Sequence, residues 1–178
     1  MQQHMIDHEV TLSFRLECMT SQSPPQNKSS LLMLRVPPMA LFAVFAVAMW
    51  FLPGILPIGF TASWMAALML AALGGAFCLA GVRAFQRART TVNPINPAAS
   101  TALVVSGIYR VTRNPMYLGF ALLLLALAMY LGKLSGLLLV PLFMAYLQHF
   151  QIQAEERALQ AKFGDLFVAY CRQVRRWL

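Results

Sequence analysis

The sequence predicts an all-α protein that crosses a membrane about four times. Hydrophobic residues make up 59% of its 178 residues, charged residues make up only 11%, and the mean hydropathy is +0.62. A soluble domain carries about 25% charged residues, so this chain has too few of them to cover a surface that faces water. The apolar residues also fall into long uncharged runs, which are typical of membrane-spanning helices.

The N-terminal part of the chain divides into a tail and two spans. Residues 1–30 are polar, end in TSQSPPQNKSS and lack the order of a signal peptide, so we expect a disordered cytosolic tail that is not certain to belong to the native protein. Residues 31–82 then hold two apolar runs, each near the 20 or so residues that a bilayer core takes as helix. We place the first span at 38–58 and the second at 62–82, where Gly74-Gly75 suits close helix packing.

The third part of the chain, residues 83–178, begins with a polar loop. This loop reaches Asn114 and contains TTVNPINPAAS, whose two Asn-Pro steps break helices. Two further apolar runs, 116–131 and 134–150, are separated only by Gly132-Lys133, which predicts a helical hairpin.

A basic, amphipathic C-terminal helix is predicted after the hairpin. Its apolar residues recur at three- and four-residue steps, and the stripe consists of Ile152, Leu159, Phe163, Phe167 (or Leu166), Tyr170, Val174 and Trp177. Lys and Arg residues cluster in the 83–114 loop and in this tail, while the 59–63 turn has none. The positive-inside rule then places both termini and the loop in the cytosol. If the source is bacterial, the membrane is the inner or cell membrane.

Composition and motifs also bear on other function classes. The chain has 14 Lys and Arg against 6 Asp and Glu, but no interleaving of basic and aromatic residues points to nucleic acid. The three cysteines are scattered and no metal-ligand spacing is present, so we expect no metal. No charge lies in mid-span, which disfavours a transporter. The expected partners are the bilayer and a lipophilic small molecule, with no obligate protein partner.

The segment 107–119, GIYRVTRNPMYLG, is the first candidate site. Asn114-Pro115 predicts a helix start, with Asn114 as the cap and Pro115 in the first helical position. Free amide groups and the helix dipole make such a start an anion site, and Arg113 can fork onto a carboxylate or phosphate. Alternatively, Arg110 and Arg113 only bind lipid headgroups.

Two tyrosines and two glutamates complete the candidate site. Tyr109 and Tyr117 face either the headgroups or a pocket. Glu155 falls within the apolar stripe, whereas Glu156 is turned about 100° away from it and is interpreted as a solvated neighbour. A glutamate on a packed face needs a partner, which is either an arginine of the loop (Arg113 is the nearer to the helix start) or a cationic or polyhydroxyl ligand.

The motif LVVSGIYRVTRNPMYLG, the apolar hairpin, EERALQAKFGDLFVAY and the basic ending together resemble the isoprenylcysteine carboxyl methyltransferase-like and phospholipid methyltransferase family. The resemblance covers residues 80–178. It implies a small integral membrane enzyme that uses S-adenosylmethionine to methylate a lipophilic acceptor, either isoprenoid carboxylate-like or phospholipid-like. The alternative is a non-catalytic membrane scaffold or lipid-binding protein in which an arginine and a glutamate form a structural lock.

The resemblance also implies site residues, with the cofactor between the loop, the hairpin and the C-terminal helix. The implied catalytic residues are Arg113, Asn114 and Glu155. The implied cofactor contacts are Thr101, Ala102, Leu103, Val104, Tyr109, Asn114, Pro115, Met116, Tyr117, Glu155 and Glu156. Asn114 stands where eukaryotic members carry histidine, so this position can donate a hydrogen bond but cannot titrate. His149, Gln151 and Gln153 stand near the place of the acceptor-side arginine of the prenylcysteine enzymes, which weakens the case for a prenylcysteine acceptor.

Overall fold

A computed structural model describes residues 37–54, 63–88 and 103–178, and these parts of the chain are helical with no β-strand. The predicted tail 1–30 and the TTVNPINPAAS loop lie outside the described residues. The elements are α1 (Pro38–Phe51), α2 (Ser63–Arg87), a 3₁₀ helix (Gly107–Arg110), α3 (Pro115–Leu131), α4 (Leu134–Tyr146), a π-helical segment (Leu147–Ile152), α5 (Gln153–Phe163) and α6 (Asp165–Gln173). The all-helical class is therefore confirmed.

Two helices are long and apolar enough to cross a membrane. One is Trp64–Arg87, with 24 residues, and the other is Leu134–Phe163, with 30 residues, which joins α4, the π-helical segment and α5. Helices α1 and α3 are apolar but shorter, with 14 and 17 residues. All four predicted apolar runs thus form apolar helices in the described chain, whereas four complete crossings stay a prediction.

Helix α1 ends earlier than the predicted span 38–58. Leu52 has an extended backbone, with φ −62° and ψ 135°, because the ring of the following Pro53 disfavours the helical conformation. The end of the helix is bound to the hairpin turn by Lys133, whose Nζ donates to the carbonyl oxygens of Trp50 at 3.0 Å and of Leu52 at 3.1 Å. The basic residue of this turn therefore caps α1.

Helices α2 and α3 approach each other closely at glycines. A Cβ atom on Gly119 would overlap Cys78 Sγ and lie 2.7 Å from the Gly74 carbonyl oxygen, and one on Gly74 would lie 2.8 Å from the Gly119 carbonyl oxygen. Nothing lies within 4 Å of the corresponding position on Gly75. The predicted close packing is confirmed at Gly74 but not at its neighbour, and it fixes where the first turns of α3 lie.

The apolar hairpin does not end near Phe150, as the sequence suggested, but continues as one helix to Phe163. Its middle is π-helical: the Gln153 N–H donates to the carbonyl oxygen of Gln148, five residues back. Such a wide turn inserts one extra residue into a helix and is frequent at functional sites. Leu147 and Gln151, which begin and nearly end this segment, are 0% and 3% exposed.

The C-terminal tail is two helices rather than one. Gly164, with φ +52°, separates α5 from α6, and a residue in this left-handed region interrupts a helix. Leu166 is 71% exposed whereas Phe167 is 3% exposed, so Phe167 is the member of the apolar stripe. Helix α6 packs on the end of α2 and on the 103–110 segment, and the buried residues of this cluster are Ala84, Val104, Tyr109, Phe167, Tyr170, Cys171 and Val174.

Candidate functional site

The candidate site lies where the start of α3, the π-helical segment with α5, and the C-terminal residues meet. Pro115 is the first residue of α3, as predicted, and the first helical bond runs from the Leu118 N–H to the Asn114 carbonyl oxygen at 2.9 Å. Asn114 is the N-cap residue, as predicted, but its side chain makes no capping hydrogen bond. Its Nδ2 instead donates to the carbonyl oxygen of Arg176 at 3.1 Å, because the C-terminal chain passes directly over it.

Residues 175–177 form a strap across the site, which we call the C-terminal strap. The Arg113 N–H donates to the Arg175 carbonyl oxygen at 3.0 Å, and Thr112 Oγ1 donates to the Arg176 carbonyl oxygen at 2.9 Å. Trp177 Nε1 donates to Gln148 Oε1 at 3.0 Å. The strap therefore joins the loop before α3 to the π-helical segment.

The first of two carboxylate clusters is the Glu156 cluster, formed by Arg113, Glu156 and Arg176. Arg176 donates to both carboxylate oxygens, with Nη2 at 2.8 Å from Oε2, and Arg113 Nη2 lies 3.3 Å from Oε1. The Glu156 side chain is only 16% exposed. The interpretation of Glu156 as a solvated neighbour is therefore wrong, because the strap returns Arg176 to a position above it.

The second is the Glu155 cluster, formed by Tyr117, Gln151 and Glu155. Tyr117 Oη donates to Glu155 Oε1 at 2.5 Å, and Gln151 Nε2 donates to the same oxygen at 3.1 Å. Among the described residues neither arginine expected here takes part, since Arg113 pairs with Glu156 and Arg110 is exposed. Glu155 is thus held by neutral donors, and of the two alternatives for its partner the arginine is excluded among the described residues.

Both tyrosines of the candidate segment are buried rather than placed at the headgroups. Tyr109 and Tyr117 are each 6% exposed, and the Tyr109 ring meets Phe85 edge-on at 5.4 Å. Burial raises the pKa of Tyr109 well above its usual value, with smaller contributions from Tyr170 and Glu155. Tyr109 is therefore a protonated, buried residue of the cluster between α6 and the end of α2.

The structure gathers most of the predicted site residues at this end of the protein. Five of them meet directly at the two clusters and the helix start, namely Arg113, Asn114, Tyr117, Glu155 and Glu156. Val104 is 7% exposed and shares the α6 cluster with Tyr109, and Leu103 packs against that cluster. Met116 faces α2, since it is the neighbour that a side chain on Gly81 would strike. Thr101 and Ala102 lie outside the described residues.

Several residues of the site are absent from the sequence-based prediction. Gln151 had a signal, because it lies four residues before Glu155 and side chains at this spacing meet on a helix. Cys171, whose Sγ accepts a contact from Arg113 Nη1, and the strap residues Arg176 and Trp177 had no local signal. Their partners are 20 to 64 residues away along the chain, a distance over which helical periodicity carries no information.

A comparison with protein families matches most of the segments that build this site. A family model for phospholipid methyltransferases matches residues 62–166, more than half of the chain. An uncharacterised protein of Haemophilus influenzae is 44% identical over 63 residues, which are 35% of this chain and 100% of that protein. No solved structure matches. The family match includes the start of α3 and both glutamates and ends before the C-terminal strap.

Proposed function

The chain belongs to the phospholipid methyltransferase family, and we propose that it transfers the methyl group of S-adenosylmethionine to a lipophilic acceptor held in the bilayer. Membership of this family, together with two helices able to cross a membrane, indicates a membrane methyltransferase. The cofactor, the acceptor class and the residues that bind them are the proposal. The observation that carries it is the difference between the partners of Glu155 and those of Glu156.

The Glu155 cluster suits the positive end of the cofactor. A buried carboxylate costs free energy unless a cation or several donors compensate it, and the described partners of Glu155 are a phenol and an amide. S-adenosylmethionine brings an ammonium group, a sulfonium centre and ribose hydroxyls. We assign Glu155 to the ammonium group or the ribose, with Tyr117 and Gln151 holding the carboxylate in place.

The start of α3 suits the negative end of the cofactor. The first N–H groups of a helix have no partner within the helix and carry the positive end of its dipole, and no side chain caps them here. Arg113, expected to fork onto the cofactor carboxylate, is already bound to Glu156 and Cys171. We therefore assign the carboxylate to the backbone of Met116 and Tyr117, with Arg113 adding positive potential.

Tyr117 links the two ends of the proposed site. Its backbone lies in the first turn of α3, and its hydroxyl bonds Glu155. A carboxylate at the helix start and a group at Glu155 would then be about one tyrosine side chain apart, which is longer than the separation of the ammonium and the carboxylate of one α-amino acid. This separation favours the ribose over the ammonium group as the partner of Glu155.

The residues of the site bind and position rather than move protons. When bound, the cofactor supplies an electrophilic methyl group, whose in-line transfer depends mainly on positioning and on the exclusion of water. Buried Tyr109 and Tyr117 exclude water from the side of α3. Asn114 cannot titrate and is bound to the strap, so we assign it to positioning.

The acceptor is proposed as phospholipid-like in preference to isoprenoid carboxylate-like. The description of the matching family favours a phospholipid-like acceptor. In addition, Gln151 stands near the position of the acceptor-side arginine of the prenylcysteine enzymes, and its side chain is hydrogen-bonded to Glu155. A carboxylate acceptor would need no base, whereas an amine acceptor must arrive unprotonated.

We also propose that this end of the protein is cytosolic, since basic residues of α2, the 3₁₀ helix and α6 share it, namely Arg83, Arg87, Arg110 and Arg172.

The proposal is tested by mass spectrometry of lipids. The full chain, reconstituted in a bacterial lipid extract, is incubated with S-adenosylmethionine that carries a deuterated methyl group. We expect one lipid class to gain the mass of the labelled methyl with the wild type and not with Glu155→Gln. Absence of labelled lipid together with absence of cofactor binding at millimolar concentration would refute the proposal.

The scaffold alternative accounts for only one of the two clusters. An arginine–glutamate lock is present, but it uses Glu156 and two arginines. A structural lock of this kind does not account for the neutral hydrogen-bond donors around Glu155. We therefore treat the lock as the support of the methyltransferase site rather than as the function of the protein.

A further inference from the structure

A groove of about 400 Å³ runs along α4 and the π-helical segment, on a different face from the Glu155 cluster. Toward the hairpin turn its lining is apolar and comprises Pro141, Met144 and Ala145. Toward the strap its lining is polar and comprises Gln148, His149 and Gln153. Its volume falls in the range of small-molecule sites, about 300 to 1,000 Å³.

The change from apolar to polar side chains extends beyond both ends of the groove. On the apolar side, Leu138 and Leu142 are exposed by 58% and 57%. On the polar side, the exposed Arg157 donates from Nε to the carbonyl oxygen of Gln153 at 3.2 Å. Along one helix the side chains therefore pass from hydrocarbon, through amide and imidazole groups, to a guanidinium.

The charge around the polar end is positive. Among the described residues no acidic side chain lines the groove. Of the two glutamates that follow Gln153 on α5, Glu155 is turned about 200° away from it, and Glu156 is paired with Arg113 and Arg176. The guanidinium of Arg157 is therefore available to an anion, and a guanidinium forms paired hydrogen bonds with phosphate. Trp177 closes the groove at this level, where an aromatic ring with a polar N–H suits a membrane interface.

We propose that this groove binds one phosphate-bearing membrane lipid. An acyl chain lies along Pro141, Met144 and Ala145, the glycerol and ester oxygens meet Gln148, His149 and Gln153, and the phosphate bonds Arg157. The order of these groups along the lipid is the order of the side chains along the helix. None of the lining residues belongs to the Glu155 cluster, and Trp177 is the residue that the groove shares with the C-terminal strap. The proposal therefore includes no step of methyl transfer.

Fluorescence of Trp177 tests the proposal directly. The chain has three tryptophans, so Trp50→Phe together with Trp64→Phe leaves Trp177 alone in the groove. The purified variant in detergent is titrated with phosphatidylglycerol whose acyl chains are brominated next to the ester groups, since bromine quenches a nearby tryptophan and Trp177 lies at the level of the glycerol and ester oxygens. We expect quenching that saturates. Quenching that only rises in proportion to the lipid fraction of the micelle would overturn the proposal.

Three added substitutions separate the parts of the site. Ala145→Phe fills the apolar end and is expected to abolish the saturable quenching, with an unchanged melting temperature showing that the chain is folded. Arg157→Gln is expected to weaken the binding of phosphatidylglycerol about tenfold, which is the contribution of a charge-assisted hydrogen bond. It is expected to leave the binding of brominated diacylglycerol unchanged. Arg172→Gln, an exposed arginine of α6 outside the groove, is the matched control and should change nothing.

Two outcomes would overturn the assignment of the ligand, and a third would overturn its location. Equal affinity for diacylglycerol and phosphatidylglycerol would remove the phosphate from the proposal. Complete displacement of the lipid by millimolar inorganic phosphate would show a free-anion site instead of a lipid site. Unaltered quenching in the Ala145→Phe variant would place the bound lipid outside the groove.

Discussion

The Glu155 and Glu156 clusters place two adjacent carboxylates in contrasting surroundings. Glu156 meets two arginines, and these contacts tie the loop before α3 and the C-terminal strap to α5. Glu155, turned about 100° away on the helix, meets only neutral donors among the described residues. One carboxylate is thus paired with cations of the fold, while the other is held by neutral donors, and we propose that the cofactor is its further partner.

On the proposed function, this difference separates a glutamate that stabilises the fold from one that binds a ligand. Removing one partner from a buried ion pair leaves an uncompensated charge and destabilises a protein strongly. A buried carboxylate without a cation is already unfavourable, so its removal should not destabilise the free protein. Strain of this kind is tolerated at functional sites, where stability is given up for binding.

The largest effect on function is expected for Glu155→Gln. The substitution keeps the shape and the acceptor oxygen but removes the charge, and a hydrogen bond to a charged group contributes about 1.5 to 3 kcal/mol. Transfer of label from methyl-labelled S-adenosylmethionine into lipid should fall by a factor of about 10 to 100. The melting temperature of the free protein should stay the same or rise, and a marked fall would make Glu155 a structural residue.

The opposite result is expected for Glu156→Gln. The change leaves Arg113 and Arg176 without their carboxylate, at a cost of about 2 kcal/mol. The melting temperature in detergent should fall, while cofactor affinity measured well below that temperature should stay within about threefold of the wild type, a difference under 1 kcal/mol. If instead the affinity is lost and the melting temperature is kept, the assignments of the two glutamates are exchanged.

Gly119→Ala tests whether the contact between α2 and α3 positions the Glu155 cluster. The added methyl would strike Cys78 and the Gly74 backbone, and such overpacking costs about 1 to 3 kcal/mol. We expect a lower melting temperature and weaker cofactor binding, because Tyr117 moves with α3. Gly75→Ala meets nothing within 4 Å and serves as the control. A similar fall in both variants would rule out the specific contact.

The smallest effect is expected for Tyr117→Phe. It removes one of the two described donors to Glu155 Oε1, and a net contribution of about 1 kcal/mol corresponds to about a fivefold loss of cofactor affinity. Tyr130→Phe is the matched control, since Tyr130 belongs to the same helix and is 66% exposed. Equal changes in the cofactor KM of the two variants would contradict a role of the Tyr117 hydroxyl in holding Glu155.

The helices of this protein were predictable because they depend on local rules. Uncharged runs of suitable length gave the four apolar helices, and Gly132-Lys133 gave the turn of the hairpin. The early end of α1 follows from Pro53, yet an apolar count alone does not detect it. The π-helical turn was not predictable, because one inserted residue leaves no mark on a pattern of apolar side chains.

The partners within the site were less predictable than its location. The segment at Asn114 and the glutamates at 155 and 156 meet in the structure, but Arg113, one of the two alternatives for the partner of Glu155, pairs with Glu156. The Glu156 cluster also depends on Arg176, which the strap brings back over α5 from 20 residues away along the chain. The same strap takes the Asn114 side chain away from the helix start, so both differences from the sequence-based expectation involve the strap.

Calorimetric titration of S-adenosylmethionine into the purified wild type, Glu155→Gln and Glu156→Gln in detergent is the most direct test of the difference between the two clusters. We predict binding by the wild type and by Glu156→Gln at a temperature where both are folded, and a loss of about 10-fold or more in affinity for Glu155→Gln. Equal affinities in all three proteins, or no binding by the folded wild type, would contradict the assignment of Glu155 to the cofactor.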